Sequence, residues 1–360
     1  MKTLLLAPEL FTTDSGIPRI LRLYLKALCE LACKGDRVRF VALNDGMIDS
    51  TTLRPYSSSA ALSGWEVCNR SKLRFIRSTL RLSARTRLIV CGHVAQLPVA
   101  WVASLIRPKL RYVLVAHGIE VWRPFGFWER RALLGAWKIF CVSEFTRTEL
   151  LARVRLDPAR VVVVPNALDP VLNAVNSIPP IPLADEPVIL AVARLSAADS
   201  YKGIDHLILA LPEILKTTPD ARLRIVGRGD DLPRLKSLAK EHQVGHAVEF
   251  TGFVNDQQLR REFARCRVFA LPSQKEGFGL VYLEAMAHGK PCIAALAGGA
   301  PEVITPESGL LVPYGDVPAL AEACTRALCA TWDADAIRAC ARRFSYSTFR
   351  DNVARHLSAP

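Results

Sequence analysis

Two glutamates with seven residues between them stand in the segment KEGFGLVYLEAMAHGKP, which runs from Lys275 to Pro291. Glu276 precedes a Gly-Phe-Gly turn, and the free N–H groups of the helix that follows can bind an anion such as phosphate. A carboxylate at this point repels phosphate, so we expect Glu276 to accept hydrogen bonds from hydroxyl groups or to stabilise positive charge. The alternative is an ordinary tight turn.

Glu284 lies in a helical pattern that is apolar on most of its sides. Burying a carboxylate without partners is unfavourable, so Glu284 requires hydrogen-bond donors, and the two hydroxyls of a ribose would supply them. A salt bridge to a neighbouring lysine or arginine is the alternative.

Two cations, Arg194 and Lys202, follow a predicted strand in the segment VARLSAADSYKGID. Arginine offers a planar, bidentate fork and lysine a mobile point charge. Together they suit a diphosphate that binds at the carboxyl end of a parallel strand. The alternative is that both are exposed surface cations.

The first half of the chain contributes two further candidates. His117 ends a predicted strand in VLVAHGIEVW, where a histidine can contact a substrate hydroxyl or phosphate. Gly16, in LFTTDSGIPR, precedes a helix whose first N–H groups would face the same ligand. A histidine packed in the core is the alternative for His117.

The elements that must position these residues alternate along the chain, since short β-branched or leucine-rich runs are separated by helical patterns. The predicted strands are Thr3–Leu6, Val38–Ala42, Leu88–Cys91, Tyr112–Ala116, Ile139–Val142 and Val161–Val164, then Val188–Val192, Leu223–Val226, Val248–Phe250, Val268–Leu271 and Cys292–Ala294. The predicted helices include Ile17–Ala32, Glu144–Arg153, Ile204–Leu215, Asp231–Glu241, Asp256–Ala264, Leu280–His288, Val317–Cys329, Ala334–Arg342 and Thr348–Leu357.

The 360 residues are enough for two domains, and the segment 179–187, with four prolines in nine residues, is the best candidate for a linker. We therefore predict an α/β protein with two Rossmann-like domains that face each other across a cleft. The predicted boundaries are 1–172 for the first domain, 173–187 for the linker and 188–344 for the second domain. A helix within 345–360 is predicted to cross back to the first domain.

Composition excludes several classes of protein. The apolar stretch at the N-terminus is too short for a signal peptide, and the longest apolar run, Val94–Ile106, is too short to span a membrane, so we expect a cytoplasmic protein. Ten cysteines occur singly, without a C-x-x-C pair, which favours reduced thiols over disulfides or metal ligands. Asp333-Ala-Asp335 has the form of a metal–nucleotide motif but lies where aspartate commonly caps a helix.

The net charge of +13 comes from the first half of the chain. Residues 1–175 contain 26 basic and 13 acidic side chains, whereas residues 176–360 contain 21 of each. The segment Arg70–Arg87 has seven basic residues and no acidic one, and a helix would align Leu73, Ile76 and Leu80 on one face. This pattern predicts docking on an anionic membrane surface, with a solvated helix face as the alternative. The aromatic residues nearby form no stacking pattern, so nucleic acid is not expected as a partner.

Taken together, these segments resemble the retaining glycosyltransferases of family 4, which have the GT-B fold. EGFGLVYLEAMAHGKPCIA is similar to the E-x7-E segment of that family, and VARLSAADSYKG resembles its Arg…Lys-Gly diphosphate segment. AHGIEVW, CVSEFTRTEL and VVPNALD resemble landmarks of its first domain. The chain departs from the pattern twice. Seven residues separate Arg194 from Lys202, where many members have four, and the loop before Gly16 lacks the Gly-Gly pair that many members have.

The resemblance implies catalytic roles for Glu276, His117, Arg194 and Lys202. It implies a donor-binding set that consists of Gly16, Arg194, Lys202, Phe253, Val254, Glu276, Gly277, Phe278, Gly279, Leu280 and Glu284. In this family the cations bind the donor diphosphate, Glu284 binds the ribose, and Glu276 contacts the transferred sugar. The histidine lies beside the reacting sugar or the acceptor, and the backbone at Phe253 and Val254 faces the base. Neither a metal nor a cofactor is expected, because the cations neutralise the leaving group.

The predicted function is transfer of a hexose, with retention, from a UDP- or GDP-linked nucleotide sugar to a glycan acceptor. We expect the acceptor to be lipid-linked, the pathway to be polysaccharide (exopolysaccharide) or glycolipid biosynthesis, and the enzyme to be peripheral at the inner membrane face. Two alternatives are a GT-B sugar-nucleotide epimerase, which needs no acceptor, and a non-catalytic sugar-nucleotide-binding protein.

Overall fold

Strands and helices alternate through both halves of the chain in the computed structural model, which describes residues 2–57, 61–171 and 186–358. Contacts divide the chain into two compact units, Met1–Val171 with Tyr346–Pro360, and Leu172–Ser345. The predicted linker, 173–187, lies outside the described residues except for its last two positions.

The first unit contains a parallel sheet in which seven strands are described. They are β1 (Lys2–Ala7), β2 (Arg37–Ala42), β3 (Leu62–Val67), β4 (Leu88–Cys91), β5 (Arg111–Ala116), β6 (Lys138–Cys141) and β7 (Val161–Val163). Their order across the sheet is β3-β2-β1-β4-β5-β6-β7, so the direction of strand addition reverses between β1 and β4. Leu5 of β1 pairs with Phe40 of β2 on one side and with Val90 of β4 on the other.

Helices cover both faces of the first sheet. They are α1 (Gly16–Glu30), α2 (Ser50–Leu53), α3 (Lys72–Ser83), α4 (Leu97–Ile106), α5 (Phe127–Gly135) and α6 (Glu144–Arg153). On one face, Leu4 and Leu6 of β1 join a buried cluster with apolar side chains of α3, α4 and α5. On the other face, the Tyr24 ring of α1 stacks on Phe140 of β6 at a centroid distance of 6.5 Å.

The second unit contains a parallel sheet with six described strands. They are β8 (Val188–Val192), β9 (Arg222–Val226), β10 (Val248–Gly252), β11 (Val268–Leu271), β12 (Cys292–Ala295) and β13 (Gly309–Val312). The order β10-β9-β8-β11-β12-β13 again reverses beside the first strand, here between β8 and β11. Such a reversal opens a crevice at the carboxyl ends of the strands, where ligands of doubly wound folds bind.

The helices of the second unit are α7 (Ile204–Thr217), α8 (Leu232–Glu241), α9 (Asp256–Arg265), α10 (Leu280–Ala287), α11 (Ala300–Val303), α12 (Val317–Cys329) and α13 (Ala334–Arg342). The final helix, α14 (Tyr346–Ser358), belongs to the first unit. Its Phe349 meets the Tyr24 ring edge-on at 4.9 Å, and Lys138 of β6 donates a hydrogen bond to the carbonyl of His356.

The predicted α/β class with two parallel sheets is confirmed. Several elements end at the predicted residues, among them Leu88–Cys91, Val268–Leu271 and Glu144–Arg153. The predictions missed β3 and β13, which lie at the edges of their sheets. Both strands contain glycine, and β3 is half exposed, so neither has the buried β-branched run that marks a central strand.

Candidate functional site

Five loops of the second unit leave the carboxyl ends of parallel strands, and they contain the residues predicted to bind a donor in this half except Leu280 and Glu284, which lie on the helix Leu280–Ala287 after the fourth loop. The residues in these loops are Arg194 after β8, Arg228 after β9, Phe253 after β10, Glu276 after β11 and Gly298 after β12. Because the strands are parallel, their carboxyl ends share one edge of the sheet, where loops distant in sequence can form one site.

Lys202 and Glu276 meet at this edge, although 74 positions separate them in the sequence. The Lys202 Nζ lies 2.7 Å from the Glu276 Oε2, and both side chains are mostly buried. Their loops follow β8 and β11, which are neighbours at the point where strand order reverses. Two residues predicted separately from the sequence are therefore joined by one charge-assisted hydrogen bond.

Arg194 is held by a carboxylate that the sequence analysis did not select. The Arg194 Nε donates to Asp199 Oδ2 at 2.5 Å and its Nη2 to Oδ1 at 3.2 Å, which raises the pKa of the guanidinium. Asp199 is buried and also accepts a hydrogen bond from the Tyr201 hydroxyl at 3.0 Å. Seven residues separate Arg194 from Lys202, where many family members have four. Asp199, which holds the Arg194 side chain, is one of these seven residues.

Tyr201 connects the Arg194 loop with the Glu276 loop. Its carbonyl accepts a hydrogen bond from the Gln274 amide at 2.8 Å. The ammonium groups of Lys202 and Lys275 lie 5.5 and 5.7 Å from the centre of its ring, which are distances suited to cation–π attraction. Burial and the bond to Asp199 raise the pKa of the Tyr201 hydroxyl, so it remains a neutral donor.

The VGRGDD segment, which follows β9, packs its backbone directly against the loop that contains Arg194. A Cβ on Gly227 would lie 1.8 Å from the Ala193 carbonyl oxygen, and one on Gly229 would lie 1.8 Å from that of Leu195. The Leu195 amide also donates to the Arg228 carbonyl at 3.0 Å. The two glycines of this segment therefore permit two loops to touch, a structural reason for a G-x-G pattern that is not a dinucleotide fingerprint.

A second glycine pair supports Glu276, and the sequence analysis missed it. The Gly299 amide donates to the Glu276 carbonyl at 2.7 Å, and a Cβ on Gly298 would lie 2.4 Å from the same oxygen. The pair follows β12 in the segment AALAGGAPE. Two adjacent glycines directly after a predicted strand were the available signal, since such pairs mark close backbone approach.

The helix α10 begins directly after the Gly-Phe-Gly turn, with Gly279 in a left-handed conformation at φ +94°. Phe278 is buried and packs edge-on against Phe344 at 5.2 Å, so only its backbone can serve a ligand. Gly277 and Leu280 are half-buried on either side of it. Glu284 is half-buried one turn into the helix, and its carbonyl lies 2.8 Å from the His288 Nδ1.

Phe253 and Val254 lie in the loop after β10. Phe253 is exposed, with the Arg228 guanidinium 5.0 Å from the centre of its ring, whereas Val254 is half-buried. An aromatic ring with a cation on one face leaves a flat surface at the end of the strand, the kind of surface on which a base can stack.

His117 lies in the first unit, at the carboxyl end of β5. Its Nε2 is 2.9 Å from the Gly92 carbonyl and must be the donor, because a carbonyl only accepts. Burial lowers the pKa of His117 to about 4, so the ring is neutral near pH 7 with Nδ1 as an acceptor. His117 can accept a hydrogen bond from a hydroxyl but cannot act as a general acid at this pH.

The turn after His117 is held by a half-buried acid, Glu120. The Glu120 carboxylate accepts a hydrogen bond from the His117 amide at 2.5 Å, and burial raises the pKa of Glu120. His93, at the end of β4, is the neighbouring histidine, and burial lowers its pKa. These three residues form a polar cluster at the carboxyl ends of two adjacent strands.

Gly16 is the first residue of α1 and is exposed. The loop before it is fixed by Asp45, a buried aspartate after β2. The Asp45 carboxylate accepts hydrogen bonds from the amides of Leu10 at 2.6 Å, Phe11 at 3.0 Å and Thr12 at 2.8 Å. The loop that presents the α1 N-terminus is thus ordered by one side chain, a role that its sequence context, VALNDG, did not reveal.

In the parts of the chain that the structure describes, no three histidine, cysteine, aspartate or glutamate side chains come together in a way that could hold a metal ion. Asp333 caps α13, where its carboxylate accepts hydrogen bonds from the Asp335 and Ala336 amides, and the cap prediction is confirmed. The ten cysteines are present as thiols, and seven of them are buried.

The sequences of both units match family models. Residues 177–342 match the family described as "Glycosyl transferases group 1", and residues 21–172 match "Glycosyltransferase Family 4". The chain belongs to glycosyltransferase family 4. Solved structures agree with the GT-B fold of this family 4 chain. Anabaena HepE in complex with UDP and glucose superposes with a TM-score of 0.79 at 23% identity, over 99% of both chains. The apo lipopolysaccharide outer core galactosyltransferase WaaB superposes at 0.74 and 18%, also over 99% of both chains.

Curated relatives are more similar in sequence but over shorter segments. The family 4 chain is 41% identical over 143 residues to a GDP-mannose-dependent monoacylated alpha-(1-6)-phosphatidylinositol monomannoside mannosyltransferase of Corynebacterium glutamicum. A related mannosyltransferase of Mycolicibacterium smegmatis is 40% identical over 149 residues. These alignments span 38–39% of this chain and 36–38% of the relatives' length.

Proposed function

We propose that the protein is a retaining glycosyltransferase that moves a hexose from a nucleotide-sugar donor to a glycan or lipid-linked acceptor. The observation that carries the proposal is the meeting of Lys202 and Glu276, 2.7 Å apart, at the strand-order reversal of the second unit. Family membership, which the matches to both units support, gives the reaction class.

In the proposed reaction, the bond between the anomeric carbon and the diphosphate breaks, and the electron pair leaves with the nucleotide. Arg194 and Lys202 would offset the negative charge that develops on the diphosphate, a role that requires no metal. Glu276 would hold the hydroxyls of the departing sugar, which carries developing positive charge. The acceptor oxygen then bonds to the anomeric carbon on the same face, and its proton passes to an oxygen of the departing diphosphate.

Each remaining candidate has a part in this proposal. The amides of Gly277, Phe278, Gly279 and Leu280 would contact sugar and phosphate at the start of α10, and Glu284 would accept hydrogen bonds from the ribose. The nucleotide base would lie against the loop at Phe253 and Val254. In the first unit, Gly16 opens the helix that would face the donor. There His117, as a neutral acceptor, would receive a hydrogen bond from a hydroxyl of the sugar or of the acceptor.

Two donors are favoured by different observations. The mannosyltransferase relatives are named for GDP-mannose, and the HepE structures contain UDP, glucose or UDP-glucose. We propose a donor linked to one of these two bases and test both. The names of the relatives also favour a phosphatidylinositol mannoside among the possible acceptors.

The experiment follows nucleotide release from GDP-mannose, UDP-glucose and ADP-glucose, with and without a phosphatidylinositol monomannoside acceptor. Acceptor-dependent release of GDP or UDP supports the transferase. Conversion of the donor into an isomeric sugar nucleotide without acceptor would support an epimerase. Donor binding without turnover with any acceptor would support a binding protein. The anomeric configuration of the product, read by NMR, tests retention.

A further inference from the structure

Three neighbouring helices on one face of the first unit expose large apolar side chains. Among the described residues, five side chains on these helices are more than 60% exposed. They are Leu73 of α3, Leu105 and Ile106 of α4, and Phe127 and Trp128 of α5. Exposed apolar residues occur singly on most soluble surfaces, whereas a group on adjacent helices marks an interaction site.

The helices share a common base, which places these side chains on one surface. Phe75 of α3, Ala100 of α4 and Leu133 of α5 belong to a single buried cluster against the sheet. The helix α4 packs against both α3 and α5. Rings also link α4 with α5, since the centroids of Trp101 and Trp128 are 6.0 Å apart.

The orientation of α3 shows which of its sides packs against the sheet. Phe75 contacts the core, with Thr79 and Ser83 buried on the same side of the helix. Leu73 and Ile76 face solvent, and Leu80 is only partly buried. The apolar stripe formed by Leu73, Ile76 and Leu80 therefore lies towards the outer surface of the helix.

Positive charge surrounds the apolar side chains. The basic residues on these three helices are Lys72, Arg74, Arg77 and Arg81 on α3 and Arg130 and Arg131 on α5, and all six are exposed. The only acidic residue in α3, α4 and α5 is Glu129, which pairs with Arg123 at 2.7 Å. The Arg131 guanidinium lies 5.4 Å from the centre of the Phe127 ring, so a cation and an aromatic ring are presented together.

From this arrangement we propose that α3, α4 and α5 form a docking surface for an anionic lipid bilayer, into which α4 and α5 insert Leu105, Ile106, Phe127 and Trp128. We call this surface, formed by Lys72–Ser83, Leu97–Ile106 and Phe127–Gly135, the lipid face. Aromatic rings and leucine enter the boundary between headgroups and acyl chains, while arginines bind the lipid phosphates. No helix in the described ranges is long and apolar enough to cross a bilayer.

Charge complementarity selects the bilayer as the partner. A protein partner would meet a surface with six exposed cations, of which Arg81 pairs with Glu66 of β3, and one acid that pairs with Arg123, whereas protein interfaces lose charged residues towards their centre. An anionic leaflet supplies both phosphate for the rim and hydrocarbon for the centre. This proposal goes beyond the sequence-based expectation of α3 alone, because the insertion is assigned to α4 and α5.

The experiment measures co-sedimentation of the full chain with vesicles of phosphatidylcholine, with or without phosphatidylglycerol, at low and high salt. We expect binding that requires the anionic lipid. The double variant Arg74→Ser/Arg77→Ser should bind at least tenfold more weakly at low salt, because each cation near the surface contributes to attraction that salt screens. The control Lys236→Ser/Lys240→Ser, on α8 of the second unit, should bind as the unchanged protein does.

Insertion is tested separately from charge. Leu105→Ser/Ile106→Ser and Phe127→Ser/Trp128→Ser should each weaken binding about tenfold at both salt concentrations, because apolar burial is insensitive to screening. Met47→Ser, at an exposed apolar residue of the first unit outside the lipid face, is the matched control. Thermal unfolding checks that each variant folds, which we expect because the replaced side chains are exposed.

Three results would overturn the proposal. Absence of vesicle binding by the unchanged protein would show that the lipid face does not bind a bilayer. Binding that depends on the arginines but not on the α4 and α5 pairs would reduce the contact to adsorption without insertion. A dimer in solution that the Phe127→Ser/Trp128→Ser variant abolishes, together with no vesicle binding, would assign the surface to a second copy of the chain. None of these assays measures sugar transfer, so the proposed reaction stands or falls by the nucleotide-release experiment alone.

Discussion

Substitutions in the ion pair between Lys202 and Glu276 can show separately how much the pair contributes to catalysis and how much it contributes to the stability of the fold. The two side chains are 22% and 15% exposed and 2.7 Å apart. Fully exposed pairs contribute about 0.2–1 kcal/mol, and removing one partner of a buried pair costs about 3–5 kcal/mol. Partial burial places this pair between these limits, so Lys202→Met should lower the free energy of unfolding by about 1–3 kcal/mol.

The same substitution should affect transfer far more than stability. Losing one group that stabilises a leaving group lowers the rate about 10²–10³-fold, which corresponds to roughly 3–4 kcal/mol of transition-state stabilisation. Glu276→Gln should have a comparable effect, because the amide would hold the sugar hydroxyls without offsetting positive charge. Activity is measured as kcat/KM for GDP-mannose and UDP-glucose, and stability by denaturant and thermal unfolding.

The double variant Lys202→Met/Glu276→Gln separates the two roles. Removing both charges leaves neither one buried alone, so stability should recover most of the loss seen in Lys202→Met. Turnover should not recover, since both groups are proposed to act on the substrate. The control is Arg224→Met with Glu262→Gln, a pair at 2.7 Å with 27% and 10% exposure that joins β9 to α9. Arg224 also lies 3.1 Å from the exposed Glu249, and Arg224→Met removes that contact in both the single and the double variant. In this control, the single variant Arg224→Met should lower the free energy of unfolding and the double variant should recover most of the loss. Turnover of both control variants should stay within about threefold of the unchanged protein.

The reasoning is refuted if the double variant regains turnover together with stability. Such a result would make Lys202–Glu276 an ordinary structural pair, and the donor site would have to be sought elsewhere. Equal losses of turnover in the control pair would also refute it, because the assay would then report folding and not chemistry.

Three further predictions follow from individual contacts. Asp199→Asn should lower kcat/KM roughly tenfold, because the Arg194 guanidinium would be held less firmly. This loss is smaller than the 10²–10³-fold loss expected for Arg194→Ala. Equal losses of kcat/KM in the two variants would mean that Asp199 itself contacts the substrate. Gly229→Ala should reduce the thermal shift caused by GDP or UDP and lower the Tm, because its Cβ would lie 1.8 Å from the facing carbonyl, whereas Gly245→Ala, with no atom nearer than 4.0 Å, should do neither. Because the folded pKa of His117 is near 4, below the usual value of about 6.5, its stabilising contribution is full above pH 6.5 and falls as pH drops towards 4. His117→Gln should therefore reduce the loss of unfolding free energy between pH 7 and pH 5 by about 2 kcal/mol, and an unchanged pH profile in chemical denaturation would contradict this.

Local patterns determined most of the elements and the residue types of the candidate site. The helix α10 begins at Leu280, as predicted, because glycine in a turn and an apolar helical run act over a few residues. The same holds for β11, whose four buried apolar residues define it without reference to the rest of the chain. Edge strands such as β3 lack this local signal, so the sequence analysis missed them.

Which residues meet was decided by strand order, which is not a local property. Lys202 and Glu276 are adjacent only because β8 and β11 are neighbours in the sheet, and Asp199 became a partner of Arg194 only when its loop folded back. The glycines at 227 and 298 make sense only beside the carbonyls that they approach.

The lipid face shows the same division. The sequence alone determined that α3 is basic and amphipathic, because helical periodicity is a property of the segment itself. Only the tertiary structure decided that Phe75 fills the core and Leu73 faces outward, and that α4 and α5 extend the surface. Burial depends on which side of a helix meets the sheet, and that is settled by contacts between residues far apart in the chain.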